Sequence, residues 1–293
     1  MEMQVEKPVF EPVSVQRKSL LWYKLQKNPM TLVGILLVTA LTVIAIFAPC
    51  IAPSDPVKIN ILDRLEAPSV KHPFGTDEVG RDILTRVIYG ARLSLGVGIT
   101  AVVIAGLIGS SIGAVSGYWG GTVDQIIMRI MDIILSFPTL VLAMTLAATL
   151  GPNLINAMLA IAVVKIPVYV RLARSEALSV RERLYVKAAK TFGLPDWYII
   201  IRHIIPNTIT PVIIQTTLDL GDVILLVATL GFLGLGAQPP QPEWGTMIST
   251  GFKHMIDQWW YPTFPGLAIF LAVVGFNLLG DGLRDILDPK SAR

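Results

Sequence analysis

Met30 to Ala52 runs for 23 residues without a charged side chain, and other stretches do the same. Leu93 to Val123 is free of charge for 31 residues, Ile133 to Val164 for 32 and Tyr261 to Gly280 for 20. A fifth stretch, Ile204 to Pro242, is interrupted only by Asp219 and Asp222. A helix needs roughly 20 apolar residues to cross a hydrocarbon core about 30 Å thick, so each run is long enough to span. The composition agrees: 15% of the 293 residues are charged, where soluble domains carry about 25%. Cys50 is the single cysteine, which rules out a disulfide scaffold. The chain reads as a polytopic membrane protein.

Gly151-Pro152-Asn153 splits the longest run with turn chemistry. Six helices are therefore expected, near 30–50, 92–116, 126–150, 154–170, 208–236 and 263–282. The fold class is all-α, because a spanning sheet must close into a barrel of short alternating strands. Basic residues set orientation. The tail 1–29 holds Lys7, Arg17, Lys18, Lys24 and Lys27, and the loop 171–207 holds seven more, from Arg171 to Arg202. The 237–262 loop holds only Lys253, while the 51–91 loop balances five basic residues with six acidic ones. Both termini and the 171–207 loop are thus expected in the cytoplasm, with 51–91 outside, a core at 92–282 and a short tail at 283–293. The first span is too long for a signal peptide, and Pro49 before Cys50 does not fit a lipoprotein cleavage site. A net charge of +3 matches this inner-face bias rather than a nucleic-acid surface.

Reaction chemistry is sparse. There is no Gly-Lys pair, so the phosphate cradle of a nucleotide-binding loop is missing. His72, His203 and His254 stand far apart, and no metal or catalytic constellation forms around them. Gly109-Ser110-Ser111-Ile112-Gly113 matches a nucleophile elbow on paper. That motif needs a strand-to-helix turn, however, and this match lies inside a spanning run.

Polar residues inside the runs carry more information. Gln215, Asp219 and Asp222 fall at i, i+4 and i+7, on one face of the fifth helix. A mid-bilayer charge costs at least ~2.5 kcal/mol, so such groups face a bundle interior or a watery path. Lys165 is a candidate partner, and the alternatives are a structural pair, a polar lining for a substrate route, or a proton or cation site of an ion-coupled carrier. Ala101, Ala105, Gly109, Gly113, Gly117 and Gly121 repeat every four residues, as in helices that approach closely. Thr122 to Gln125 fits a capping box, and Arg129 and Asp132 stand three apart as a possible pair. Trp244, Trp259, Trp260 and Tyr261 mark a membrane interface or a rim for an external partner.

The 171–207 loop is the most informative segment. Residues 183–192 favour a helix that Gly193 and Pro195 stop, with Leu184, Ala188 and Phe192 as an apolar ridge; Asp196 is placed to cap a second helix. Lys187-Ala188-Ala189, then Gly193 and Pro206, resembles the EAA loop of binding-protein-dependent ABC importer permeases. Three more stretches resemble the dipeptide/oligopeptide/nickel branch, and its C-type dipeptide permeases most. They are Phe74-Gly75-Thr76-Asp77-Glu78-Val79-Gly80-Arg81-Asp82, Gly231-Phe232-Leu233-Gly234-Leu235-Gly236-Ala237-Gln238-Pro239-Pro240, and Gly280-Asp281-Gly282-Leu283-Arg284-Asp285 with Asp288-Pro289. Lys187 stands where the family usually has glutamate, and His203 where it has isoleucine.

The resemblance implies a permease subunit that makes no bond itself and binds no cofactor. It would work with a second permease, two ATPases that use ATP and Mg, and an extracytoplasmic binding protein, in a bacterial or archaeal inner membrane. Lys187, Ala188, Ala189, Gly193 and Pro206 would form the ATPase-coupling site. Gln215, Asp219 and Asp222 would line the path of a dipeptide or short peptide.

The charge asymmetry makes a direct prediction. In a Cys50→Ser background, Lys187→Cys should resist an impermeant thiol reagent on intact cells, while Gln241→Cys should label. The reverse pattern would overturn the orientation.

Overall fold

A computed structural model describes residues 28–287. The basic residues at 7–27, Lys290, Arg293 and Asp288-Pro289 lie outside that range. The helices are α1 (Pro29–Ile46), α2 (Ala48–Ile51), α3 (Ile83–Trp119), α4 (Gly121–Leu135), α5 (Thr139–Leu150), α6 (Leu154–Arg181), α7 (Leu184–Thr191), α8 (Asp196–Ile199), α9 (Ile205–Phe232), α10 (Trp244–Phe252) and α11 (Trp260–Leu287). A π-helical turn, Ile200–Ile204, joins α8 to α9. Among the described residues, extended pairing is limited to one bridge between Thr76 and Asp82. Five helical stretches are long and apolar enough to span, and α4 with α5 makes a sixth as a bent pair. The near end of the bundle is where Pro29 opens α1; the far end is where Ile46 closes it.

Several expected boundaries move, each for a local reason. The third span is not one helix over 126–150: it turns by 90° between Leu135 and Thr139. Pro138 lacks an N–H and crowds the preceding residue out of helical geometry, so the turn falls there. The second span opens at Ile83 rather than residue 92, because Asp82 accepts the Thr85 backbone N–H at 2.7 Å and Arg86 is buried rather than left in a loop. Its 37 residues outrun the bilayer. The fourth span runs to Arg181, not residue 170, since its basic last turns meet acidic partners on α4. Gly234, with φ +78°, stops the fifth span before residue 236. The first ends at Ile46 and the last extends to Leu287.

Three local expectations also fail. Gly120, not Thr122, precedes the first turn of α4, and no side chain caps it. Asp124 instead accepts from Arg174 at 2.5 and 2.6 Å and from the Ser116 hydroxyl at 2.6 Å. Asp132 pairs with Arg171 at 2.6 Å rather than with Arg129. Asp196 is the first residue of α8, with Pro195 before it, and its carboxylate accepts the Tyr118 hydroxyl at 2.6 Å.

The bundle centres on α3 and α6. A Cβ added at Gly109 would meet Tyr169 Cβ at 2.6 Å, one at Gly113 would run into the Val170 carbonyl, and one at Gly117 would meet the Arg174 carbonyl at 2.6 Å. The small-residue repeat is thus a backbone-to-backbone seam, as small residues in membrane helices allow. It ends at Gly117; Gly121 has a positive φ of +56° and opens α4. Ser111 lies within α3 and donates to the Leu107 carbonyl at 2.7 Å, an ordinary back-bonded serine.

The far end is covered by residues 52–82 and by α10. Asp77 is fully buried: it accepts the Arg81 Nε at 2.6 Å and the backbone N–H groups of Val79 and Arg81. Gly80, at φ +76°, leaves no room for a Cβ against the Asn60 carbonyl. Glu243 opens α10 by accepting from the Gly245 and Thr246 N–H groups at 2.8 Å each, and Ser94 of α3 donates to it at 3.3 Å. Burial raises the Glu243 pKa, against the pull of these donors.

The seam sets a stability test. Gly113→Val should drive α3 and α6 apart and lose roughly 1–3 kcal/mol, the usual range for overpacking. Gly96→Ala, whose new Cβ would meet nothing within 4 Å, should melt like the parent. Thermal denaturation of the detergent-solubilised proteins reads the difference.

Candidate functional site

Two sites emerge, one at the near end and one at mid-span. At the near end, α7 starts after Arg183 and stops at Gly193, whose φ is +78°. The Leu194 N–H reaches the Ala189 carbonyl at 3.2 Å and the Gly193 N–H reaches the Lys190 carbonyl at 3.0 Å. These bonds satisfy carbonyls that a helix end would leave open, and they need a left-handed residue at position 193. Pro195 then prevents continuation.

The two faces of α7 differ. Val186 and Ala189 are buried against Ala177 and Val180 of α6 and against Ile199, Ile200 and Ile204. Leu184 and Phe192 are 86% and 85% exposed, and Ala188 between them is exposed too. The expected ridge is therefore outward and uncovered, whereas Ala189 seats the helix on its own chain. Lys187 is exposed and pairs with Glu182 at 2.9 Å, which holds that carboxyl below the usual range. Pro206 lies in the first turn of α9 and is exposed. His203 sits beside the Tyr185 and Tyr198 rings, at 5.7 and 6.3 Å between centroids.

Polar contacts tie this segment to the spans. Tyr118, near the end of α3, donates to Asp196 of α8, and Arg181 donates to the Gly117 and Tyr118 carbonyls at 3.2 and 3.3 Å. Asn207 on α9 bonds both Tyr185 and Arg183, at 3.3 and 3.4 Å. Sequence spacing could not reveal these links, because Tyr118 and Asp196 are 78 residues apart.

At mid-span, Lys165 on α6 stands 3.0 Å from Asp219 and 3.8 Å from Asp222, both on α9. Asp219 is 5% exposed, while the Asp222 side chain is 70% exposed. The second Asp219 oxygen and the Tyr169 hydroxyl are buried without a hydrogen-bond partner among the described residues. Asp222 and Lys165 line an open pocket of ≈ 350 Å³ with Thr139, Leu140 and Thr229. The geometry thus splits the acidic face: Asp219 is held inward by Lys165, and Asp222 is presented to open space. Gln215 is half-buried one turn nearer the start of α9. Among the described residues, no group of three or more His, Cys, Asp or Glu could hold a metal ion.

These features define a class: a helical membrane transport subunit with a packed helical projection at one end and a charged pocket at mid-span. Residues 109–293 match the model of the binding-protein-dependent transport system inner membrane component, and residues 19–68 match the N-terminal transmembrane domain of oligopeptide transport permease C. The chain belongs to this family of binding-protein-dependent transport permeases. It is 54% identical over 272 residues to the "Probable D,D-dipeptide transport system permease protein DdpC" of Escherichia coli K12, covering 93% of this chain and 91% of that protein. It is 49% identical over 267 residues to the dipeptide transport system permease protein DppC of Alkalihalophilus pseudofirmus, covering 91% and 88%. The glutathione transport system permease protein GsiD of Escherichia coli O6:K15:H31 is 43% identical over 270 residues, covering 92% and 89%. The chain is a multi-pass inner-membrane transport subunit, not an enzyme, and it works within a transporter complex.

The mid-span pair yields a paired-variant test. Asp219→Ala leaves the buried Lys165 with only the exposed Asp222 at 3.8 Å, and breaking a buried pair typically costs about 3–5 kcal/mol. Asp219→Ala should therefore accumulate poorly in membranes, and adding Lys165→Met should restore much of the level. Quantitative immunoblotting of membranes reads both.

Proposed function

We propose that this chain is one of two permease subunits of an ATP-driven importer for dipeptides or short peptides. Its partners are a second permease, two ATPases that bind ATP and Mg, and an extracytoplasmic binding protein that delivers substrate. The near end faces the cytoplasm, which puts both termini and the 171–207 segment inside and the 51–91 segment outside. The observation that carries this reading is the uncovered Leu184, Ala188 and Phe192 ridge on a helix anchored to α3, α6 and α9. A cytoplasmic helix in water gains by burying such residues, and an ATPase groove supplies the cover. Lys187, Gly193 and Pro206 shape and flank that face, and Ala189 fixes its seat. The dipeptide assignment is supported by the names of the similar proteins, and by a pocket whose charges suit a zwitterion.

ATP binding and hydrolysis on the partners would move α7, and the polar ties at Tyr118, Arg181 and Asn207 would carry that motion into the spans. Gln215, Asp219 and Asp222 then form the acidic side of the substrate route. Asp222 is the member in open space, so it meets the α-ammonium of a passing peptide. Asp219 keeps Lys165 in place.

The tests follow from these roles. Leu184→Glu with Phe192→Glu should insert normally but lose co-purification with the ATPases and most peptide uptake. Gly193→Val forces a β-branched residue into left-handed geometry at about 1–2 kcal/mol and should misdirect the helix end. Asp222→Asn should assemble, keep binding-protein-stimulated ATP hydrolysis and slow transport. Uptake that collapses with an uncoupler at constant ATP would favour the ion-coupled alternative instead. Undiminished uptake in the ridge variant would sink the coupling assignment.

A further inference from the structure

Arg92 lies inside α3, nine positions after its first residue, Ile83, and makes no ion pair or hydrogen bond among the described residues. The other basic residues of α3 and α6 (Arg86, Lys165, Arg171, Arg174 and Arg181) each have a carboxylate or carbonyl partner, whereas Arg92 is exposed. It borders an open groove of ≈ 290 Å³ between α3 and the last turn of α1, lined by Thr42, Ala45, Ile46, Leu95, Gly96 and Ile99. At about 1.5 Å per residue, Arg92 sits roughly 13 Å below the tip of α3. It is therefore level with the end of α1 and not with the bilayer centre. The exposed side of α3 continues from Arg92 through Gly96, Ile99, Val103 and Leu107, a mainly apolar track in which the exposed Thr100 hydroxyl is turned back onto the Gly96 carbonyl at 2.7 Å. Gly96 leaves that track open, since a Cβ there would meet nothing within 4 Å.

We propose that this groove is a phospholipid site in the far leaflet, with Arg92 holding the lipid phosphate and an acyl chain lying along Gly96 and Ile99. The argument is charge and shape together. An unpaired cation at this depth needs an anion, and a guanidinium presents a planar fork that suits a phosphate. Apolar surface just below the charge matches the way a phospholipid joins its phosphate to its chains. The recognised group is the phosphodiester, so lipids with different headgroups should bind alike. The site would add a ligand to the protein contacts that already join α1 to α3, where Leu41 packs with Ala91 and Leu95. It does not depend on the substrate or coupling assignments, and its failure would leave them untouched.

The test uses the transporter purified with its partner subunits in mild detergent and examined by native mass spectrometry. The probes are phosphatidylglycerol, phosphatidylethanolamine and a diacylglycerol of the same chain length. Wild type should take up one phospholipid more per copy of this chain than Arg92→Met does, with affinity roughly tenfold higher at that site. Arg92→Lys should fall between, since it keeps the charge and loses the fork. Diacylglycerol should not distinguish the variants. Equal phospholipid uptake by wild type and Arg92→Met, with both melting alike, would overturn the proposal. Ile99→Cys cross-linking to the second permease at high yield would also overturn it, by making the groove a seam between subunits.

Discussion

The close approach of α3 to α6 is the constraint on which the rest depends. Inside a bilayer, apolar side chains gain nothing by leaving lipid for protein, so helices must be held by van der Waals contact and polar links. Gly109, Gly113 and Gly117 meet this condition by removing side chains along three successive turns. The seam fixes α6 in rotation and in height. That in turn places Lys165 opposite Asp219, Arg174 opposite Asp124, and Arg181 against the last carbonyls of α3. A shift of one residue along the seam would misalign all three contacts.

Those contacts share an electrostatic logic. Charges away from water attract strongly but are costly alone, so each buried charge comes with its counter-charge or with several donors. Asp77 is met by Arg81, with Arg86 at 3.6 Å, and Glu243 by four donors from α10 and α3. Asp222 differs. It shares Lys165 with a better-placed competitor and keeps most of its surface open, which leaves its charge free to act on something else.

Much of this was legible in the sequence because it is written in local patterns. Charge-free runs announced the spans, the four-residue spacing of glycine announced the seam, and Gly193 with Pro195 announced the end of α7. The pairing of Lys165 with the acidic face was one of few reachable choices, since mid-span cations are rare. What sequence could not give was pairing across distance. Arg129 was the nearer partner for Asp132 along the helix, yet the seam brought Arg171 closer in space. Thr122 and Asp124 had the spacing of a cap, but Arg174 was a stronger attraction for that carboxylate. The bend at Pro138 was visible as a proline and was outweighed by the length of the apolar run. Ala189 belonged to the recognised motif, and only packing showed that it faces inward.

A single element joins the two candidate sites. α6 carries Lys165 at mid-span and reaches the coupling segment through Arg174, Ala177, Val180 and Arg181. Its lower half is locked to α3 by glycine contacts and carbonyl bonds, and so should move with α3 as one body. Pro167 interrupts α6 two residues after Lys165, and Pro211 interrupts α9 two turns before Asp219. A proline inside a helix removes one backbone bond and permits a bend. The charge pair therefore lies within about two turns of a proline on each helix, at the upper edge of the seam, where Gly109 meets Ile166 and Tyr169 on either side of Pro167. On the proposed mechanism, motion entering at α7 would pass rigidly along the lower part of α6 and be released as bending at Pro167. Lys165 would then change its distance to Asp219 and Asp222 unequally, because one is buried with it and the other is not. That inequality is what could couple an ATP-driven movement to the grip on a charged substrate.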